Sequence, residues 1–67
     1  MLLTRSAAED RVFQFVRQAG ELHATAEEVA HQTGCDAHDA QHVLDELVQR
    51  NLLRRFDVPG ERPIYWS

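Results

Sequence analysis

The stretch HQTGCDAHDAQH, from His31 to His42, gathers three of the chain's four histidines and its only cysteine. Imidazole nitrogen and thiolate sulfur are ready zinc ligands. His38 and His42 stand four residues apart, so on a helix they share one face and can close on one ion. Cys35 lies just before that helix, within reach of the same side. The same letters also spell a helix end, a tight turn at Gly34 and a new helix start. One reading makes a metal module and the other a pair of helices joined at a fixed angle. Against the first, no second histidine or cysteine pair completes a structural zinc site.

The remaining side chains offer little catalytic chemistry. There is no glycine-rich phosphate loop and no supported Ser–His–acid constellation, and the chain has little room for a buried cleft. The carboxylate pairs Glu27/Glu28 and Asp45/Glu46 are adjacent, so they diverge around a helix and read as solvated faces. The expectation is that the protein is not an enzyme.

Charge is more informative. The formal net charge of −4 argues against a generic affinity for phosphate backbones. Its distribution is uneven: over residues 6–49 only Arg11 and Arg17 oppose the carboxylates, whereas Arg50, Arg54, Arg55 and Arg62 face only Asp57 and Glu61 beyond them. Lysine is absent, so every cation is an arginine, suited to planar, bidentate contacts.

The elements that must position these groups follow from local signals. A chain of 67 residues with 43% hydrophobic content fits one small domain with a single core. One cysteine allows no internal disulfide, which fits a reducing, cytoplasmic setting. No run approaches the ~18 apolar residues of a membrane span, so a soluble protein with no membrane contact is expected. Ser6 and Glu9 form a capping-box pattern for a helix over 7–19, with Val12, Phe13 and Val16 as its apolar stripe, Phe15 widening it and Gly20 as its stop. The segment ELHA suits a brief extended piece. Thr25 and Glu28 repeat the capping box for a helix over 26–33, buried through Val29 and Ala30 and ended by Gly34.

Asp36 is placed to cap a third helix over 37–50, with Asp39 near the positive end of its dipole. Ala40, Val43, Leu44 and Leu47 form its inward stripe, and Asn51 suits a left-handed end. LLRRFDV and RPIYW then read as two strands joined at PGE, a hairpin over 52–66. Of the aromatics, Phe13 and Phe56 are expected to close the core. Phe15, Tyr65 and Trp66 offer stacking faces as well, and Trp66 either covers the first helix or forms a partner patch.

The run TAEEVAHQTGCDAHDAQHVLDELVQRNLLRRF followed by RPIYW resembles the winged helix-turn-helix domain of bacterial and archaeal transcriptional regulators, including the ArsR and MarR types. The resemblance covers nearly the whole chain and implies an α+β fold of three helices, a short strand after the first, and a two-stranded wing. In such domains the residue after the turn glycine points into the core, so Cys35 is read as a packed thiol, with neither metal nor other cofactor expected. The resemblance also implies binding to double-stranded DNA, as a homodimer on paired half-sites. It puts Ala37, His38, Gln41, His42 and Asp45 toward base edges, with Gln41 suited to adenine, and Arg50 at the end of that face. It puts Arg54, Arg55 and Arg62 on the wing, against phosphates or the minor groove. The sequence departs from that pattern in having no cation on the outward helix face before Arg50, while Asp39 and Asp45 lie there. A protein-interaction module, docking a basic partner through its acidic helices, is the competing expectation.

Overall fold

The computed structural model describes residues 7–67. Ser6, half of the first expected capping box, lies outside them. Helix α1, Ala7–Ala19, carries Glu9 and Asp10 in its first turn and Arg17 in its last, matching the helix dipole at both ends. It buries Val12 fully and leans Phe13, Phe15 and Val16 on the core. Gly20 ends it at a φ of 75°, and strand β1, His23–Thr25, follows.

Helix α2, Ala26–Thr33, opens with the expected reciprocal cap. The Glu28 amide donates to Thr25 Oγ1 at 3.2 Å, and the Thr25 amide donates to Glu28 Oε1 at 2.8 Å. Gly34, at a φ of 70°, turns the chain out of α2, and the Cys35 amide returns to the Ala30 carbonyl at 3.0 Å. Helix α3, Ala37–Gln49, starts one residue after Asp36. Asp36 has the extended backbone of a cap, and its carbonyl accepts from the Ala40 amide at 3.0 Å, but its side chain makes no capping bond. Position was right and chemistry was not. At the other end Arg50 is the capping residue and Asn51 takes the left-handed φ of 64°. The Asn51 amide then reaches the Val48 carbonyl and the Leu52 amide the Leu47 carbonyl, satisfying two orphan acceptors of the last turn.

Those closing bonds shorten the hairpin. Leu52 and Leu53 direct their amides to Leu47, so β2 begins only at Arg54 and spans Arg54–Phe56. Strand β3 spans Ile64–Trp66. Between them Pro59 and Pro63 have no amide to give a ladder. The Glu61 amide meets the Val58 carbonyl at 3.0 Å around Pro59 and Gly60, whose φ of 81° suits the third position of a type II turn. The sheet is antiparallel in the order β1-β3-β2. Three helices and a three-stranded sheet make a small α+β domain, consistent with a winged-helix layout. Among the described residues no helix is long and apolar enough to cross a membrane.

The core lies between the helices and one face of the sheet. Val12, Val29, Val43, Leu44 and Tyr65 are its largest fully buried side chains. The sheet's pairing decides which aromatic joins them. Arg55 pairs with Tyr65, and Phe56 with Ile64, so strand alternation sends Tyr65 inward and Phe56 outward. Phe56 is therefore 58% exposed, against the expectation that it closes the core. Trp66 pairs with Arg54 on the same outer face, away from α1. Replacing Leu44, fully buried on α3, with alanine should cost about 2–5 kcal/mol in urea unfolding, much of the stability of a domain this small. A midpoint within error of wild type would remove α3 from the core.

Candidate functional site

The outward face of α3 gathers most of the polar residues singled out above. His38, Gln41, His42 and Asp45 line a shallow depression of about 220 Å³. His38 projects into solvent with its side chain 92% exposed, and its Nδ1 stands 3.9 Å from Asp39. Gln41 is exposed beside it. His42 is exposed but held, its Nδ1 donating to Glu9 Oε2 of α1 at 2.8 Å. Ala37, expected to face outward, is half-buried against the core, because the tight turn tucks the first residue of α3 under α2.

Asp45 is not free to meet a base. Its Oδ1 accepts from the Tyr65 hydroxyl at 2.6 Å and from Arg55 Nη1 at 2.8 Å. Arg55 Nε donates at 2.9 Å to Asp57, and its Nη1 lies 3.3 Å from the Tyr65 oxygen. This cluster bolts α3 to the two hairpin strands at once. Its electrostatics follow from that arrangement. Burial raises the Tyr65 hydroxyl pKa well above its ordinary 10.0, and the bond to Asp45 raises it further. Arg55 is likewise held more firmly protonated, first by Asp57 and, against some desolvation, by Asp45. Arg55 thus serves the fold and leaves little of its charge for an outside anion.

The other arginines differ in how tightly they are held. Arg50 pairs with Glu46 one turn back at 3.0 Å. Arg62 reaches Glu27 at the start of α2 at 2.7 Å, with both side chains open to water. Arg54 lies over the Trp66 ring, 5.3 Å from its centroid. The three wing arginines therefore do not form one basic patch: one is structural, one is loosely paired and one is on the outer sheet face.

The candidate zinc ligands do not converge either. Cys35 is half-buried against the core, its thiol 3.3 Å from the Ala8 carbonyl and 3.6 Å from that of Thr33. His31 is exposed on α2 while His42 turns to Glu9. Among the described residues no three His, Cys, Asp or Glu side chains gather into a metal-binding group.

Sequence reasoning missed the Asp45–Arg55–Tyr65 cluster altogether. Its faint signal was that Arg55 and Tyr65 each sit centrally in a short strand run, but pairing them requires the register. Compared with protein-family models, curated proteins and solved structures, the chain matches none.

Two measurements check this geometry. Because the folded-state pKa of Tyr65 lies above its unfolded value near 10, the contribution is complete below pH ~10 and is lost as pH rises through the folded value. Tyr65 is the only tyrosine. Tyrosinate absorbance should therefore rise well above pH 10 in native protein and near 10 in urea; a native midpoint near 10 would dissolve the cluster. For Cys35, a chelator should leave the melting curve in place and Cys35→Ala should cost about 1 kcal/mol. Stoichiometric zinc that disappears in that variant would restore the metal reading.

Proposed function

We propose that the protein binds double-stranded DNA as a small transcriptional regulator, with the N-terminal half of α3 in the major groove. The observation that supports this is the fixed relation between an exposed helix face and the hairpin, set by Asp45, Arg55 and Tyr65. Groove reading needs a helix face open to base edges and a second element held at a constant offset to meet the backbone. His38 and Gln41 supply the open face, with Gln41 able to pair bidentately with adenine. Arg62 supplies the backbone contact. Its pair with Glu27 is exposed on both sides and worth about 0–1 kcal/mol, so exchanging that carboxylate for a phosphate costs little. Ala37 and Asp45 leave the contact set, and Arg55 acts by holding the hairpin. A domain this small buries little DNA, so two copies on two half-sites complete the reading.

The second reading is an adaptor that docks a basic protein and ignores DNA. It draws on the neutralised hairpin: Asp45 and Asp57 hold Arg55, and Glu27 holds Arg62.

Binding to random-sequence duplex across a salt series separates the two. Wild type should bind at low salt, with Arg62→Ala flattening the slope of log affinity against log salt by roughly one unit. Gln41→Ala should relax preference at one base position by about 1–3 kcal/mol and leave the slope unchanged. If no duplex binds at low salt, the regulator reading falls and the adaptor reading stands.

A further inference from the structure

Among the described residues three large apolar side chains stand exposed. Leu52 lines an apolar groove with Val16 and Leu47, and the other two, Phe56 and Trp66, share the outer face of the sheet. Beside that face runs an open strand edge. The order β1-β3-β2 leaves β1 and β2 at the two margins of the sheet. At the β1 margin the Thr25 amide is already taken by Glu28 Oε1 at 2.8 Å.

One bond fixes which backbone groups face outward at the β2 margin. The Ser67 amide donates to the Leu22 carbonyl at 3.1 Å, one step beyond the His23–Trp66 pair. Hydrogen-bonded and non-bonded pairs alternate along an antiparallel ladder. Tyr65 therefore gives its amide and carbonyl to β1, while Ile64 and Trp66 turn theirs to Phe56 and Arg54 of β2. Arg55, between those two, directs its own N–H and C=O away from the sheet. The Leu53 amide, two residues earlier, points the same way and reaches Leu47. No described residue bonds the Arg55 N–H or C=O, although its side chain is tied inward to Asp45 and Asp57. Unpaired strand edges are templates for a further strand.

We propose that this edge pairs with the same edge of a second copy, antiparallel about Arg55, to make one continuous six-stranded sheet. Self-complementarity selects this occupant. A two-fold axis at Arg55 lets each copy's Arg55 N–H meet the C=O of the other, a reciprocal pair of bonds that leaves no new edge at the join. On the outer face it sets Arg54 directly opposite Phe56 of the second copy, twice over, at the closer, non-hydrogen-bonded spacing. Arg54 already lies 5.3 Å from the Trp66 ring centroid, so its guanidinium comes to rest between two rings, and Phe56 is covered. On the inner face the two Arg55 side chains become neighbours, but each brings Asp45 and Asp57 with it, and Asp57 is diagonal to the other copy's Arg55. An edge of three residues covers less than the roughly 800 Å² per partner of a stable complex, so the expected dissociation constant is weak, about 10 µM to 1 mM. The pairing stands on the strand edge whether or not the protein binds DNA.

The test follows self-association of the full chain without DNA, by sedimentation equilibrium and by amide hydrogen exchange. The Arg55 amide should exchange more slowly as concentration rises, while the amides of Arg54 and Phe56, held in the ladder, should not change. A synthetic chain N-methylated at Arg55 keeps every side chain and every bond to β3, and should remain monomeric. Phe56→Arg should weaken association about tenfold, two like-charge pairs replacing two favourable ones. The double variant Arg54→Glu, Phe56→Glu should also fail to pair with itself, yet should pair with Phe56→Arg, because position 54 of each then meets the opposite charge at position 56 of the other. Gln41→Ala should leave association unaltered. A monomer at every concentration up to about 1 mM overturns the proposal. So does association that survives N-methylation, or that Leu52→Asp removes, which would assign it to the groove beside α1 instead. Absence of DNA binding would leave it in place.

Discussion

The burial of Tyr65 is the constraint on which the other contacts depend. The middle strand of the sheet offers the core one fully buried side chain, and that side chain carries a hydroxyl. A buried phenol without a partner costs about 1–3 kcal/mol, which a domain of this size tolerates poorly. Asp45 removes that cost at 2.6 Å, and its carboxylate is in turn balanced by Arg55. Because Arg55 stands opposite Tyr65 in the ladder, the arrangement works in one register only. A slip of one residue would expose the phenol and bury the Trp66 ring with Arg54 on it. Register, hairpin position and the orientation of α3 are thus set together.

The same constraint decides which charges remain for outside partners. Four arginines gathered after residue 49 look like a basic wing when counted along the chain. In three dimensions, Asp45 and Asp57 claim Arg55, Glu27 claims Arg62, and Glu46 claims Arg50. The hairpin is near neutral, so availability is a question of how strongly each pair is held. Arg55 has three partners around a half-exposed guanidinium and stays with them. Arg62 has one partner in open water and can exchange it.

Helix limits were legible because their signals are local. Thr25 with Glu28, Gly34 and Asn51 each act within a few residues of themselves, and each did what its chemistry implied. Asp36 shows the limit: its backbone serves as a cap, while its carboxylate is not used for that purpose. The first hairpin strand is shorter than the run LLRRFDV suggests because the Leu52 and Leu53 amides turn back to the Leu47 carbonyl at the end of α3. Phe56 departs from its expected place in the core for a different reason. The strand runs holding Phe56 and Tyr65 have no clean alternation of apolar and polar residues, and the inner face is chosen by a partner on α3, Asp45, that adjacency in sequence does not reveal. The histidine–cysteine motif has the same origin. Its spacing follows from a helix, a turn and a helix, and the turn sends Cys35 toward α1 while His38 and His42 face away from the core.

Helix α3 therefore carries three different tasks along 13 residues, about 20 Å of axis. Its first turns present His38 and Gln41 to solvent, its middle holds the hairpin through Asp45, and its last turns wall the apolar groove through Leu47. A helix pinned at its centre is a poor lever, since Asp45 would have to give up two bonds before either end tilted. Coupling between the two ends of α3 needs an element with two discrete arrangements, and in this structure the cluster at its middle has all its partners in place. The outward face at the start of α3 and the apolar wall at its end are thereby held at one fixed separation by the bonds to Asp45.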